Sequence, residues 1–210
     1  LQHDPDIAEH SCQICQCIAA GKALTRSEFL IEREQQCFEV MLSPISHGAH
    51  SLAMVHVRRN ITAAKESQAR SEVFNRLYTV LSHTNKAIAS ATTRQMMFTD
   101  ICDIAVRHGG FKMSWIGLVK TKTIKPQAYA GSESGYLKKM EFRVDDSALA
   151  RGPVGQAAKS NQVRCVNNIK LDPDFAPWRD AAEHRGYEAL AAVPLSINNK
   201  VVGIYTIYSE

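Results

Sequence analysis

Residues 111–119, FKMSWIGLV, restrict the fold more than any other stretch of the chain. Alternation along an extended backbone puts Phe111, Met113, Trp115, Gly117 and Val119 on one face and Lys112, Ser114, Ile116 and Leu118 on the other. Beyond Ser114 both faces are apolar, so the strand needs cover on both sides and belongs in the middle of a sheet. The helical pattern before it ends at Gly109-Gly110, residues that close a helix and release the chain. Gly117 removes a side chain next to Trp115, as happens where another group packs closely on a strand.

Composition excludes several classes of function. Hydrophobic content of 45% and charged content of 22% over 210 residues fit a folded domain with a sizeable core. The net charge of +4 is dispersed, with only pairs such as Arg58-Arg59 and Lys138-Lys139, so no nucleic-acid footprint is present. No apolar run approaches the roughly 20 residues of a membrane span. The opening residues, with His3, Asp4, Asp6 and Glu9, do not resemble a signal peptide, and a cytoplasmic chain with reduced thiols is expected.

Taken in order, the chain first offers Cys12, Cys15 and Cys17, with His3 and His10 before them. Three thiolates at this spacing could form part of a zinc or iron–sulfur site. A second matching pair is absent, and Gln16 occupies the position where c-type haem attachment needs His. The alternative is a short helix over 12–20 in which the cysteines serve as small apolar residues. Strand patterns follow at 26–33, 36–45 and 51–61, separated by turn-like residues, which predicts an antiparallel meander.

From 63 to 91 there is neither Gly nor Pro, which predicts one long helix. Val73, Leu77, Val80, Thr84, Ala87 and Ala91 recur at steps of four and three, the spacing of a coiled-coil seam, and a parallel homodimer through this helix is expected. The same spacing also serves a helix packed on its own domain. His83, in LSHTN, reads as a surface residue. Thr92-Thr93-Arg94-Gln95 reads as a capping box for a helix over 93–108, with Met97, Ile101, Ile104 and Ala105 as its buried stripe.

After FKMSWIGLV come a strand at 123–130, a Gly/Ser-rich loop at 131–135 and a brief strand at 141–144. Arg151-Gly152-Pro153-Val154-Gly155 opens a helix with Pro in its first turn. Arg151 beside that helix start could hold an anion, although a turn alone also accounts for the Gly and Pro. A short strand at 162–166 carries Cys165, and residues 172–179 lead Trp178 into a helix that stops at Gly186. Two final strands, 189–197 and 201–208, are joined by Asn198-Asn199, residues that tolerate the positive φ of a tight hairpin.

Four blocks in this order, Ser114-Trp115-Ile116-Gly117, Arg151-Gly152-Pro153, Phe175-Ala176-Pro177-Trp178 and Ala192-Val193-Pro194-Leu195, make residues 75–210 resemble a GAF domain that stops short of the family's usual C-terminal helix. Phe38-Glu39-Val40, Ser43-Pro44-Ile45 and Asn60-Ile61-Thr62 resemble the C-terminal half of a PAS domain, with Asn60 where that family commonly has Asp. The resemblance implies an α+β chain: a partial PAS-like meander (1–61), a signalling helix (62–92) and a GAF domain (93–210) with a six-stranded antiparallel sheet. That sheet would carry helices on one side and, on the other, a ligand pocket roofed by 131–186.

It further implies a non-catalytic sensory module in bacterial signal transduction. A small ligand would contact Trp115, Arg151, Trp178 and Arg179, and the dimeric helix would act on an output domain for cyclic-di-GMP turnover or on a histidine kinase. A covalent chromophore is not expected, since no bilin-type Cys-His pairing lies near Cys165, and the sequence leaves any cofactor unknown. The alternative in the same family is a methionine-(R)-sulfoxide reductase, which needs a nucleophilic and a resolving thiol. Val154 stands where those enzymes carry one Cys, leaving Cys165 as the thiol near the roof.

Overall fold

A computed structural model describes residues 16, 20, 24–31, 36–47 and 50–210. Cys12, Cys15 and Cys17, and the helix expected around them, lie outside the described residues. The chain divides into two units, 1–74 and 75–210, and one helix, α1 (Thr62–Ser90), runs across the division.

In the first unit β1 (Leu24–Ile31), β2 (Gln36–His47) and β3 (His50–Asn60) form an antiparallel meander in the order β1-β2-β3. Phe38 and Val40 alternate on one side of β2 and are buried, and the Arg58 guanidinium lies 4.2 Å from the centre of the Phe38 ring. Asn60 serves the start of α1. Its Oδ1 accepts from the Thr62 N–H at 3.0 Å, while the Thr62 hydroxyl accepts from the Cys37 N–H at 2.8 Å. These bonds supply partners that a helix start otherwise lacks.

The second unit is an α+β fold. Helix α2 (Arg94–Arg107) precedes β4 (Met113–Lys120) and β5 (Thr123–Gly131), and a short helix α3 (Tyr136–Lys139) leads to β6 (Phe142–Arg143). A 3₁₀ turn (Ala148–Arg151) then enters α4 (Pro153–Ser160) and β7 (Arg164–Val166). A second 3₁₀ turn (Pro173–Trp178) enters α5 (Arg179–Glu183), and the hairpin β8 (Ala189–Ile197) and β9 (Lys200–Ser209) closes the unit. The six strands pair antiparallel in the order β6-β5-β4-β9-β8-β7, which makes FKMSWIGLV a central strand. Asn198 and Asn199 both take positive φ in the hairpin turn, as their residue type allows.

Register separates the sheet into two faces. Met113 and Trp115 share one face with Ile204, Tyr208, Leu190, Ala192 and Val166, and this face carries the larger core together with Phe142, Phe175, Trp178 and Tyr187. Ile116 and Leu118 share the other with Ala128, Ala130 and Tyr205, beneath Phe98, Ile101 and Cys102 of α2. Thr93 caps α2, accepting from the Met96 N–H at 3.2 Å. The capping box expected from Thr92 and Gln95 does not form, because the Gln95 amide reaches β5 instead and donates to the Gln127 carbonyl at 2.9 Å.

Gly155, read from the sequence as part of a turn, is a point of contact between backbones. A Cβ there would lie 2.4 Å from the Ala150 carbonyl oxygen and 2.7 Å from that of Arg143. Neither oxygen can rotate away, so Gly155→Ala has to push α4 off its neighbours. The expected result is a loss of about 2 kcal/mol in urea unfolding. An unchanged midpoint would show that α4 shifts without cost.

Candidate functional site

The site lies on the face of the sheet away from α2. Its floor is Trp115, with no exposed surface, tilted against Phe142 at 4.6 Å between ring centroids. Gly117 gives the indole its space, since a Cβ there would stand 2.6 Å from the Trp115 ring and 2.6 Å from Ile124. Tyr136, Tyr187 and Tyr208 form a buried triad beside it, in edge-on and tilted contacts at 4.7–5.8 Å.

Above this floor, α4 begins with Gly152, Pro153 and Val154, and the 3₁₀ turn brings in Phe175 and Trp178. Trp178 lies directly on the Gly152 backbone, where a Cβ would be 2.3 Å from the ring. Asp172 fixes the turn by accepting from the Asp174 and Phe175 N–H groups at 2.9 and 3.1 Å. Gln156 ties it to α4 by donating to Asp174 at 2.7 Å.

Between floor and roof is an apolar cavity lined by Tyr136, Phe142, Phe175, Trp178 and Tyr208 with the start of α4; its volume is about 10 Å³, the room of a single water.

The loop after β5 is fastened to the same roof. The buried Glu133 carboxylate accepts from the Gly135 and Leu137 N–H groups at 2.8 and 2.6 Å and so caps α3. Arg185 donates to the carbonyls of Glu133, Ser134 and Ala181, with its guanidinium over the Tyr136 ring, and the Tyr187 hydroxyl donates to the Ser132 carbonyl.

Burial dominates the electrostatics. It pushes the Tyr208 phenol up to about 12, with the Tyr136 hydroxyl and the Trp115 indole N–H pulling the other way. Tyr136 and Tyr187 are also raised, first by burial and then by Tyr208. The Tyr136 and Tyr208 hydroxyls are 3.5 Å apart, the outer limit of a hydrogen bond. The Trp115 N–H is near enough to Tyr208 to favour its phenolate, but it is not placed to bond it. Trp115 Nε1 and Thr206 Oγ1 are buried without a hydrogen-bond partner.

Of the four ligand contacts expected from the sequence, Trp178 lines this cavity, and Trp115 lies in the same core without lining it. Arg151 is exposed and does not line it. Arg179 is half-buried and fastens the 3₁₀ turn, donating to the Asp172 carbonyl at 2.9 Å. Tyr136, Phe142 and Phe175 line the cavity without having been named as ligand contacts. Tyr208 was accessible to reasoning, because alternation through IYTIYS puts Ile204, Thr206 and Tyr208 on one face.

Cys165 is not near the roof. It pairs with Ala191 on the edge strand β7, on the face opposite Val166, and its side chain is exposed. Cys102 also packs on the α2 side, where burial pushes its thiol up to about 11. Among the described residues no group of three His, Cys, Asp or Glu side chains is placed to hold a metal ion, and no helix is long and apolar enough to cross a membrane.

The family model for the GAF domain matches residues 91–210, more than half of the chain. The chain belongs to the GAF domain family. Solved structures similar to it include the GAF domain of A. aeolicus nlh2 in an inactive state, at 18% identity and TM-score 0.55, covering 66% of this chain and 82% of that one. The GAF domain of a phosphoenolpyruvate-protein phosphotransferase from Coxiella burnetii matches at 13% identity and TM-score 0.54, with coverage of 65% and 79%. The free methionine-R-sulfoxide reductase from Neisseria meningitidis in complex with its substrate matches at 16% and 0.53, with coverage of 66% and 75%. At these identities the likeness concerns the fold. Comparison with curated protein sequences finds no match. The GAF domain is a sensory and regulatory fold, and the roofed face described above is where this one concentrates its aromatic side chains.

Proposed function

We propose that this chain is a non-catalytic sensory module whose GAF domain takes a small molecule between Trp115 and Trp178. The change passes through α1, as a dimer, to an output domain that turns over cyclic-di-GMP or is a histidine kinase. The observation that carries this reading is the closed aromatic chamber: a sheet face roofed by two short turns held by a few hydrogen bonds, opposite a face already packed against α2. The β1–β3 meander, with its PAS-like residues, is the second sensory unit on this reading.

The non-catalytic assignment rests on the thiols. Among the described residues Cys37 is in the other unit, and Cys102 and Cys165 are on the face away from the roof, so no pair of thiols faces the chamber. A reductase cycle of nucleophilic and resolving cysteines lacks its groups there.

The dimer reading needs a different seam from the one in the sequence. Ala87 is buried and Val80, Thr84 and Ala91 are half-buried, so that side of α1 is turned inward. Phe74, Leu77, Tyr78, Leu81 and Ile88 are each more than half exposed and form one stripe at helical spacing. Phe74, Leu77, Leu81 and Ile88 keep heptad positions, which suits pairing with the same stripe of a second copy. Sedimentation of the full chain should give a dimer. Leu81→Glu should weaken it at least about tenfold while leaving the circular dichroism unchanged, since a glutamate in the seam stays solvated only in the monomer. A strict monomer at high concentration would remove the dimer from the proposal.

A further inference from the structure

A second cavity opens between the loop after β5 and α5. It is a groove of about 600 Å³, within the usual size of small-molecule sites, and it shares no lining residue with the apolar cavity. Ser132, Ser134, Lys139, Asp180, His184 and Arg185 line it. Each of these side chains is polar.

Charge in the groove is unbalanced. The Arg185 guanidinium is half-buried and donates to the carbonyls of Glu133, Ala181 and Ser134 at 3.1, 2.8 and 2.8 Å. A carbonyl carries no net charge, so these bonds orient the cation without neutralising it, and a guanidinium does not give up its proton. Lys139 is exposed beside it in the same lining. Among the described residues neither cation has a carboxylate within ion-pair distance, and Asp180, the carboxylate of the lining, has no cation within that distance. Two cations face one anion, which leaves the groove positive.

The lining also holds unused hydrogen-bonding groups on a fixed frame. Three of the guanidinium's N–H groups are taken by carbonyls, and the rest remain. The His184 Nδ1 donates to the Asp180 carbonyl at 2.9 Å, which leaves Nε2 over. Ser134 and Gly135 take positive φ, 42° and 79°, a conformation that serine adopts at a cost. The loop keeps it because Arg185 and Tyr187 hold the carbonyls of residues 132–134 and the Glu133 carboxylate accepts from the Gly135 N–H. A frame already set loses little freedom when a ligand arrives.

We propose that this groove is a second ligand site, separate from the apolar chamber, and that it takes a small molecule through an oxyanion group, a phosphate or a carboxylate. Lys139 and the remaining N–H groups of Arg185 supply the charge, and the serine hydroxyls supply further donors. Several oxygens on one anion answer several donors at once. Asp180 opposes such a ligand, which gives the site a test of sign.

Inorganic phosphate is titrated into the full chain at fixed ionic strength, with chloride as the balancing ion, and followed by amide NMR. Saturable shifts are expected at Ser134, Gly135, Lys139 and His184. Malonate is run in parallel, and the tighter of the two identifies phosphate or carboxylate as the group carried. Lys139→Gln should weaken the tighter anion about threefold and Asp180→Asn should tighten it about threefold, the size expected of single charges in a solvated groove. Both positions are exposed, so circular dichroism should be unchanged in each variant, and the titration of the native chain decides the matter by itself if it is not. Shifts that do not saturate, that chloride alone reproduces, or that spread over lysines and arginines elsewhere would overturn the site. So would Lys139→Gln leaving the affinity as it was, or Asp180→Asn failing to raise it.

Discussion

Replacing Trp115 with alanine is expected to destabilise the unit 75–210 by about 3–5 kcal/mol, the usual range for deleting a buried large aromatic. The side chain is wholly buried at the centre of the sheet, tilted against Phe142 and fitted against Gly117. The strands that hold it, β5 and β9, are themselves paired on both sides, so the sheet cannot collapse into the hole. Natural domains hold only about 5–15 kcal/mol in total, so this variant should sit near its unfolding midpoint in mild urea. Trp115→Phe, which keeps a ring against Phe142, should recover most of the loss. Chemical denaturation followed by far-UV circular dichroism measures both, and a loss below about 1 kcal/mol for the alanine would mean that the roof closes down onto the floor.

Alkaline pH should produce the second large effect. Tyr136, Tyr187, Tyr205 and Tyr208 all have phenols raised by burial, Tyr205 and Tyr208 to about 12. A raised value in the folded state means that the unfolded chain loses its protons first. The contribution is therefore fully present below the ordinary tyrosine value of about 10 and is lost as the pH rises from there towards the folded value. For the fully buried Tyr136 and Tyr208 the loss at pH 11 is about 1.4 kcal/mol each, and it grows with each further pH step. Tyrosinate absorbance and circular dichroism should change together above pH 10, because these phenols ionise only as the fold opens. Ionisation of all the tyrosines near pH 10 with the circular dichroism intact would contradict a closed chamber.

The central strand was legible because both of its faces are apolar, a pattern that only an interior position satisfies. The hairpin was legible because two asparagines in sequence tolerate the positive φ that they adopt. The site was legible in its two tryptophans and illegible in most of what surrounds them. Tyr136 reaches the cavity because Glu133 caps its helix and Arg185 holds the loop, two contacts between residues whose spacing carries no periodic signal. Arg151 and Arg179 looked like ligand contacts because cations beside helix starts attract anions. Here one is in solvent and the other secures backbone. The spacing on α1 left two readings open for a simpler reason. Two apolar stripes wind around α1, and sequence spacing alone does not say which one the domain itself covers.

One side chain on the opposite face of β4 joins the central strand to α2. Ser114, next to Trp115, is fully buried and donates to the Cys102 carbonyl of α2 at 3.3 Å. A displacement of the strand at Trp115 therefore reaches α2 within one residue. Any such linkage works in both directions by thermodynamic necessity: a ligand that strengthens self-association by some factor must itself be held more tightly by the associated form, by the same factor. If the proposed dimer and ligand are linked in this way, the response depends on the abundance of the chain as well as on the ligand, and its apparent sensitivity rises with the amount of protein.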